Sequence, residues 1–332
     1  MKKKSNFLSI LGALLATSLL IVSCGEEENS PSINEVNFRQ EMRNFVMELS
    51  SYSKGIKPGF LIIPQNGQEL ITDNGELDGV VQKEYLKTID ATGSEDLFYG
   101  YDQDDHETPI EDSNYLIALF GIFEENKVKV LAIDYCSTIQ KMDKSYQLNH
   151  ENGFISFAAD QRNLNDIPSY PSKPFDENSA DILAIFQAKN FLYLINSEKF
   201  ETKEEFITAV SATNYDLIIM DLYHNEEMYS LKEVEQLKQK ENGGKRLLIC
   251  YMSIGEAENY RYYWESGWNP GTPTWLGREN PDWEGNYKVH YWNQKWKDII
   301  TGNPESYIDK VLTSGFDGVY LDVIDAFEYY EE

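Results

Sequence analysis

Carboxylates recur along this chain where apolar runs end. Tyr215-Asp216-Leu217-Ile218-Ile219-Met220 stops at Asp221, Lys129-Val130-Leu131-Ala132-Ile133 at Asp134, and Gly318-Val319-Tyr320-Leu321 at Asp322. Leu86 to Ala91 leads through Thr92-Gly93-Ser94 to Glu95. Apolar runs of about 4–8 residues between helical patterns read as buried parallel strands. In a closed parallel barrel all strand C-terminal ends meet on one face, so acids at those ends would converge on one pocket. Converging carboxylates hold, donate and accept protons, which is the equipment of acid–base chemistry.

The elements that would position these acids form a regular series. Phe38, Met42, Phe45, Val46 and Leu49 recur at helical spacing and predict a helix over Phe38 to Ser53. Eight strands are predicted: Gly59 to Pro64, Thr88 to Thr92, Lys129 to Asp134, Gly153 to Ala158, Asn190 to Ile195, Leu217 to Asp221, Arg246 to Met252 and Gly318 to Asp322. Helical patterns at Ser230 to Lys240 and Ser306 to Thr313 separate strands, with Gly243-Gly244 as a stop. Eight strands with crossovers point to an α/β fold, a (β/α)8 TIM-type barrel; an open doubly wound sheet is the alternative. Such a barrel normally begins with a strand and ends with a helix, whereas this series begins with a helix and ends on a strand. Circular permutation accounts for that order, with the Phe38 helix following the Asp322 strand in space. The tail Asp325 to Tyr330 would then lie on the active face.

The first residues have a different character. Lys2, Lys3 and Lys4 precede an apolar stretch from Phe7 to Val22, and Leu20-Ile21-Val22-Ser23-Cys24 follows. This resembles a bacterial lipoprotein signal, with residues 1–23 removed and Cys24 lipidated. Residues 24–36 read as a polar, acidic tether and 37–332 as the barrel. The expected location is the outer membrane or cell surface, held by lipid. Loss of the three lysines takes the formal net charge from −27 to −30. Nucleic acid is therefore not an expected partner, because phosphate binding needs clustered Lys and Arg. A cationic ligand would be attracted at long range. Cys136 and Cys250 read as buried small apolar residues, and the four histidines show no zinc spacing, so neither a metal nor a cofactor is expected.

Cys250-Tyr251-Met252-Ser253-Ile254-Gly255-Glu256-Ala257-Glu258, Tyr260 to Trp264, Asn280 to Tyr287, Tyr291-Trp292 and Gly315 to Asp325 together resemble glycoside hydrolase family 114, the endo-α-1,4-polygalactosaminidases and their relatives. Ile63 to Gly67 and Glu95 to Tyr99 resemble family segments that usually follow the strand like Gly318 to Asp322, which agrees with permutation. The resemblance implies cleavage of α-1,4-linked galactosamine or N-acetylgalactosamine polysaccharide by two carboxylates, one protonating the leaving oxygen and one attacking the anomeric carbon or activating water. By motif the pair falls on Asp322, the nucleophile, and Glu95, the general acid/base. Asp221, Asp134, Glu256, Glu258 and Asp325 are expected to bind substrate, a cationic amino-sugar polymer pairing with carboxylates. Tyr251 and Asn66, also at strand ends, would hydrogen-bond the sugar or the acids.

All six tryptophans lie between residues 264 and 296, in the longest crossover. Long structured loops are often functional. Most of these indoles are expected to form the loop's own core, with one or two, Trp264 among them, stacking on sugar. Two other functions fit the sequence: a surface glycan-binding lipoprotein without turnover, and a hydrolase of the same mechanism on a different glycan. An acid pair facing one cleft favours an enzyme; unpaired acids beneath a dominant aromatic surface favour binding alone.

Overall fold

The computed structural model describes residues 36–331, which fall in one compact unit. The lipoprotein-like leader, Cys24 and the acidic tether lie outside the described residues. Eight parallel strands carry the unit: β1 (Leu61–Pro64), β2 (Ala91–Glu95), β3 (Lys129–Tyr135), β4 (Ile155–Ala159), β5 (Phe191–Leu194), β6 (Leu217–Met220), β7 (Leu247–Ser253) and β8 (Gly318–Asp322). Almost every residue in them is buried, which is why they read as apolar runs rather than as alternation.

The strands form two parallel sheets. One has the order β1-β8-β7-β6-β5 and the other β2-β3-β4. Single parallel bridges connect them, Gln65 with Gly93 beyond β1 and Ser156 of β4 with Asn190 before β5. The result is a mixed α/β domain built on parallel strands, consistent with a TIM-like fold.

Helices start where capping chemistry permits. Ser230 Oγ accepts from Glu233 N, and Glu233 Oε2 accepts from Ser230 N at 2.7 Å, a reciprocal cap on Leu231–Leu237. That helix ends earlier than the spacing predicts. Its last residue is Leu237, and Gly243 (φ 89°) serves a separate turn, closed by pairing between Gln239 and Lys245. The second strand also differs: it spans Ala91–Glu95, not Thr88 to Thr92. Thr88 instead closes a turn onto Tyr85 O, and the ladder with β3 begins at Ala91.

The Phe38–Ile56 helix packs against the Ala326–Glu331 and Tyr307–Ser314 helices. Arg39 pairs with Glu331 at 3.0 Å, and the Phe38 ring lies 5.4 Å from Tyr330 and 5.0 Å from Trp292. The long β7-to-β8 crossover contains an antiparallel sheet of Glu256–Glu258, Asn286–Val289 and Leu276–Glu279, in that order, followed by two helices. It stands beside the C-terminal ends of the strands and supplies one wall of the site.

Candidate active site

A cavity of about 1010 Å³ opens at the strand C-terminal ends. Glu95 and Asp322 both line it, each the last residue of its strand. The chain turns sharply straight after each acid: Asp96 has φ 60° and Val323 φ 58°. A β-branched residue in the left-handed region is strained, and such strain persists only where the surroundings enforce it. Close packing does so here, since a Cβ on Gly255 would come within 2.1 Å of Val323 O. Asp322 Oδ1 accepts from Val323 N at 2.8 Å within this turn.

A tyrosine hydroxyl holds each acid. Tyr251 donates to Asp322 Oδ2, and Tyr135 donates to Glu95 Oε1. The Arg162 guanidinium lies 4.0 Å over the Tyr135 ring and donates to Asp96 at 2.7 Å. Burial, and then the Glu95 charge, push the Asp322 carboxyl up to about 7. Near neutral pH Asp322 is therefore poised between its two states.

The remaining acids divide into two groups. Asp221 and Glu258 are bound internally: Arg261 reaches Asp221 Oδ2 at 2.7 Å and Glu258 Oε2 at 2.6 Å. Burial raises Asp221, and Arg261 opposes it. Among the described residues, no arginine forms an ion pair with Glu256 or Asp325. Glu256 is buried and accepts from Asn280 at 2.9 Å and Asn286 at 3.3 Å, with Lys288 at 3.9 Å. Burial pushes Glu256 up, and burial together with the Glu328 charge pushes Asp325 up to about 7. The Ala326–Glu331 helix brings Asp325, Ala326, Glu328 and Tyr329 to the cavity, so the tail does lie on this face.

Three expected site residues are elsewhere. Asp134 does not line the cavity. It is fully buried and accepts from Phe98 N (2.8 Å), Tyr99 N (3.2 Å), Ser145 Oγ (2.6 Å) and Asn149 Nδ2 (3.0 Å). Its strand runs one residue past the predicted end at Asp134, and strand alternation turns Tyr135 inward and Asp134 outward. Asn66 (φ 60°) also lies outside the lining; its Oδ1 accepts from Glu95 N at 3.3 Å and so steadies the acid from behind. Trp264 packs into the crossover's own core, 5.2 Å from Trp268 and 4.9 Å from Tyr287. Trp268, Trp275 and Trp296 continue that core, and Trp292 joins Phe38 and Tyr330. The indole that lines the cavity is Trp283, 62 % exposed at its rim.

Sequence reasoning missed Tyr135, Arg162, Arg261 and Trp283. For Tyr135 a signal existed, because it lies two residues beyond Ile133, the partner of Glu95 in the ladder. For Arg162 none existed, since Asp96 and Asp104 are far away in the chain; Arg261 sits three residues from Glu258, but its link to Asp221 spans forty positions.

Comparison with known proteins bears on this site. The family model of glycoside-hydrolase family GH114 matches residues 177–332. The match supports a glycoside hydrolase; it includes Asp322, Tyr251 and the aromatic crossover, while Glu95 lies outside it. An uncharacterized protein of Methanocaldococcus jannaschii is 39% identical over 184 residues, 54% of this chain and 49% of its own length. Uncharacterized proteins of Thermotoga maritima and Deinococcus radiodurans are each 38% identical, over 123 and 126 residues, covering 37% and 38% of this chain. The matched regions span 36% and 38% of those two relatives, so the chain aligns with half or less of the curated relatives it matches.

Proposed function

We propose that this protein hydrolyses an α-1,4-linked galactosamine or N-acetylgalactosamine polysaccharide, with Glu95 and Asp322 as the acid pair. The observation that carries the reading is two strand-end carboxyls in one cavity, each held by its own tyrosine hydroxyl. Glu95 protonates the glycosidic oxygen as the bond to the leaving sugar breaks. Asp322 attacks the anomeric carbon, or takes the proton of the water that does. Asp322 must be ionised for either role, and its raised pKa makes that depend on what enters the cavity. A substrate ammonium near the pair favours the carboxylate form and so readies the site as it binds.

The amino-sugar part of the proposal draws on charge. Nine carboxylates line the cavity against three cations, Arg162, Arg261 and Lys288. Since Arg261 already engages Asp221 and Glu258, the ammonium groups of substrate are assigned to the side bearing Glu256 and Asp325, and a sugar face to Trp283. The eight strands are proposed to close as one (β/α)8 barrel through the Gln65–Gly93 and Ser156–Asn190 bridges. The Phe38–Ile56 helix would take the place after β8 that circular permutation requires. Lipidation at Cys24, with display at the outer membrane or cell surface, completes the proposal.

The test is release of reducing ends from partly deacetylated α-1,4-galactosaminogalactan by a soluble form beginning at residue 33. Asp322→Asn and Glu95→Gln should each abolish release, with losses of about 10³-fold or more if they act as the reacting pair. Retained binding with no release from this or other glycans would instead identify a glycan-binding protein. Release from another polymer alone would keep the acid pair and discard the substrate.

A further inference from the structure

Tyr320 lies directly below the acid pair and has no role in the chemistry so far described. It precedes Asp322 by two residues on β8, and Gly93 precedes Glu95 by two on β2. Residues two apart on a strand share a face, roughly 6.6 Å apart along it. A contact between positions 320 and 93 is therefore one pleat beneath the gap between the acids. The two strands are not neighbours, because β1 lies between them, with Ile63 opposite Tyr320 and Gln65 opposite Gly93.

The Tyr320 ring crosses that distance inside the fold. A Cβ on Gly93 would meet the Tyr320 hydroxyl oxygen at 1.9 Å, Cζ at 2.4 Å and Cε2 at 2.6 Å. Glycine inside a strand gives up stability and often marks close approach of another group. Here the approaching group is this ring. Tyr193 backs it with ring centroids 5.3 Å apart, and is itself fixed by donating to Gln65 Oε1 at 2.9 Å. Tyr320 is fully buried, and its hydroxyl has no hydrogen-bond partner among the described residues. Leaving a buried hydroxyl unpaired costs about 1–3 kcal/mol. Phenylalanine would avoid that cost, so the extra atom of reach toward Gly93 calls for a reason.

We propose that Tyr320 is a positioning residue, a strut from β8 to the Gly93 backbone of β2 that sets the gap between Asp322 and Glu95. This rests on the glycosidase reading for its purpose, but not for its geometry. Carboxyl separation decides which route a two-acid glycosidase follows and how strongly the two charges feel each other.

The experiment compares the soluble protein with Gly93→Ala, Tyr320→Phe and the double variant. The Asp322 titration is followed by carboxyl 13C NMR, assigned with Asp322→Asn, alongside the pH profile of kcat/KM on the polymer. Gly93→Ala pushes the ring and should move the Asp322 midpoint by about half a unit or more. It should lower kcat/KM about 10²-fold, the scale of a 1 Å misplacement. Adding Tyr320→Phe removes the oxygen but keeps the ring carbons that the new Cβ would meet at 2.4 and 2.6 Å, so the double variant should recover only part of either quantity. Should Gly93→Ala not fold, Tyr320→Phe alone decides, with a shifted Asp322 midpoint expected. Folded variants whose midpoint and pH profile match wild type overturn the strut. Shifted midpoints in a protein whose wild type cleaves no glycan leave the strut standing and overturn the glycosidase reading instead.

Discussion

At the scale of single residues, proton affinity and hydrogen bonding decide what this site can do. Tyr251 stabilises the ionised form of Asp322, so Tyr251→Phe should raise an Asp322 pKa that already stands near 7. If Asp322 acts as the carboxylate of the proposed pair, the acid limb of kcat/KM should move to higher pH by roughly one unit, costing about tenfold on the acid side and little well above it. A pH profile of that variant checks this; an unshifted limb would mean that another group sets it. Stability gives a second check. The Asp322 pKa is raised on folding, so the folded chain holds this proton more tightly than the unfolded chain. Its contribution is present below pH 4 and is lost as pH rises toward 7. Asp322→Asn should therefore stabilise the protein at pH 8, by on the order of 2–4 kcal/mol, and change it little at pH 4. Urea unfolding at the two pH values measures the difference. A gain in stability on removing one carboxyl is expected where a site stores unfavourable charge.

At the scale of elements, the aromatic crossover serves two purposes. Trp296 is fully buried, and its indole N–H donates to Ile254 O at 2.9 Å. Trp296→Ala should cost about 3–5 kcal/mol as a cavity opens in the crossover's core. Trp283, exposed at the cavity rim, should behave oppositely: Trp283→Ala leaves the melting temperature unchanged and raises KM for polymer about tenfold, equivalent to one sugar stack of 1–1.5 kcal/mol. Thermal melts and steady-state kinetics on the two variants separate core from platform. Asp134 belongs to the first class. Its four donors come from the segment after β2 and from the Ile139–Glu151 helix, so Asp134→Ala should destabilise by about 3 kcal/mol or more. Activity per folded molecule should be kept.

At the scale of the whole molecule, charge is the leading property. The strong net negative charge and the excess of acids around the cavity should draw a cationic polymer in and weaken with salt. KM for deacetylated polymer should rise steeply between 50 and 500 mM salt, roughly tenfold, while KM for the fully acetylated polymer changes little. Equal salt dependence for both polymers would remove the amino-sugar preference and leave the hydrolase.

Much of this architecture is legible in the order of the residues. Seven strands lie within a few residues of where their apolar runs end, because burial on both faces leaves a continuous apolar run in the chain itself. Asp322, Glu95 and Asp221, at or just beyond strand ends, line one cavity with Glu256, Glu258 and Asp325 from the crossover and tail. What the chain alone could not decide was which side of a strand a residue faces when the strand outruns its apolar run. Alternation beyond Ile133 makes Tyr135 a holder of Glu95 and sends Asp134 to the helix behind. Nor could it decide which acids are already engaged. Arg261 reaches Asp221 across forty positions, and Tyr320 meets Gly93 across more than two hundred. Periodicity and turn chemistry are local and survive in the order of residues. Ion pairs, struts and the facing of two acids form only when distant strands are brought side by side, and there the tertiary structure decides.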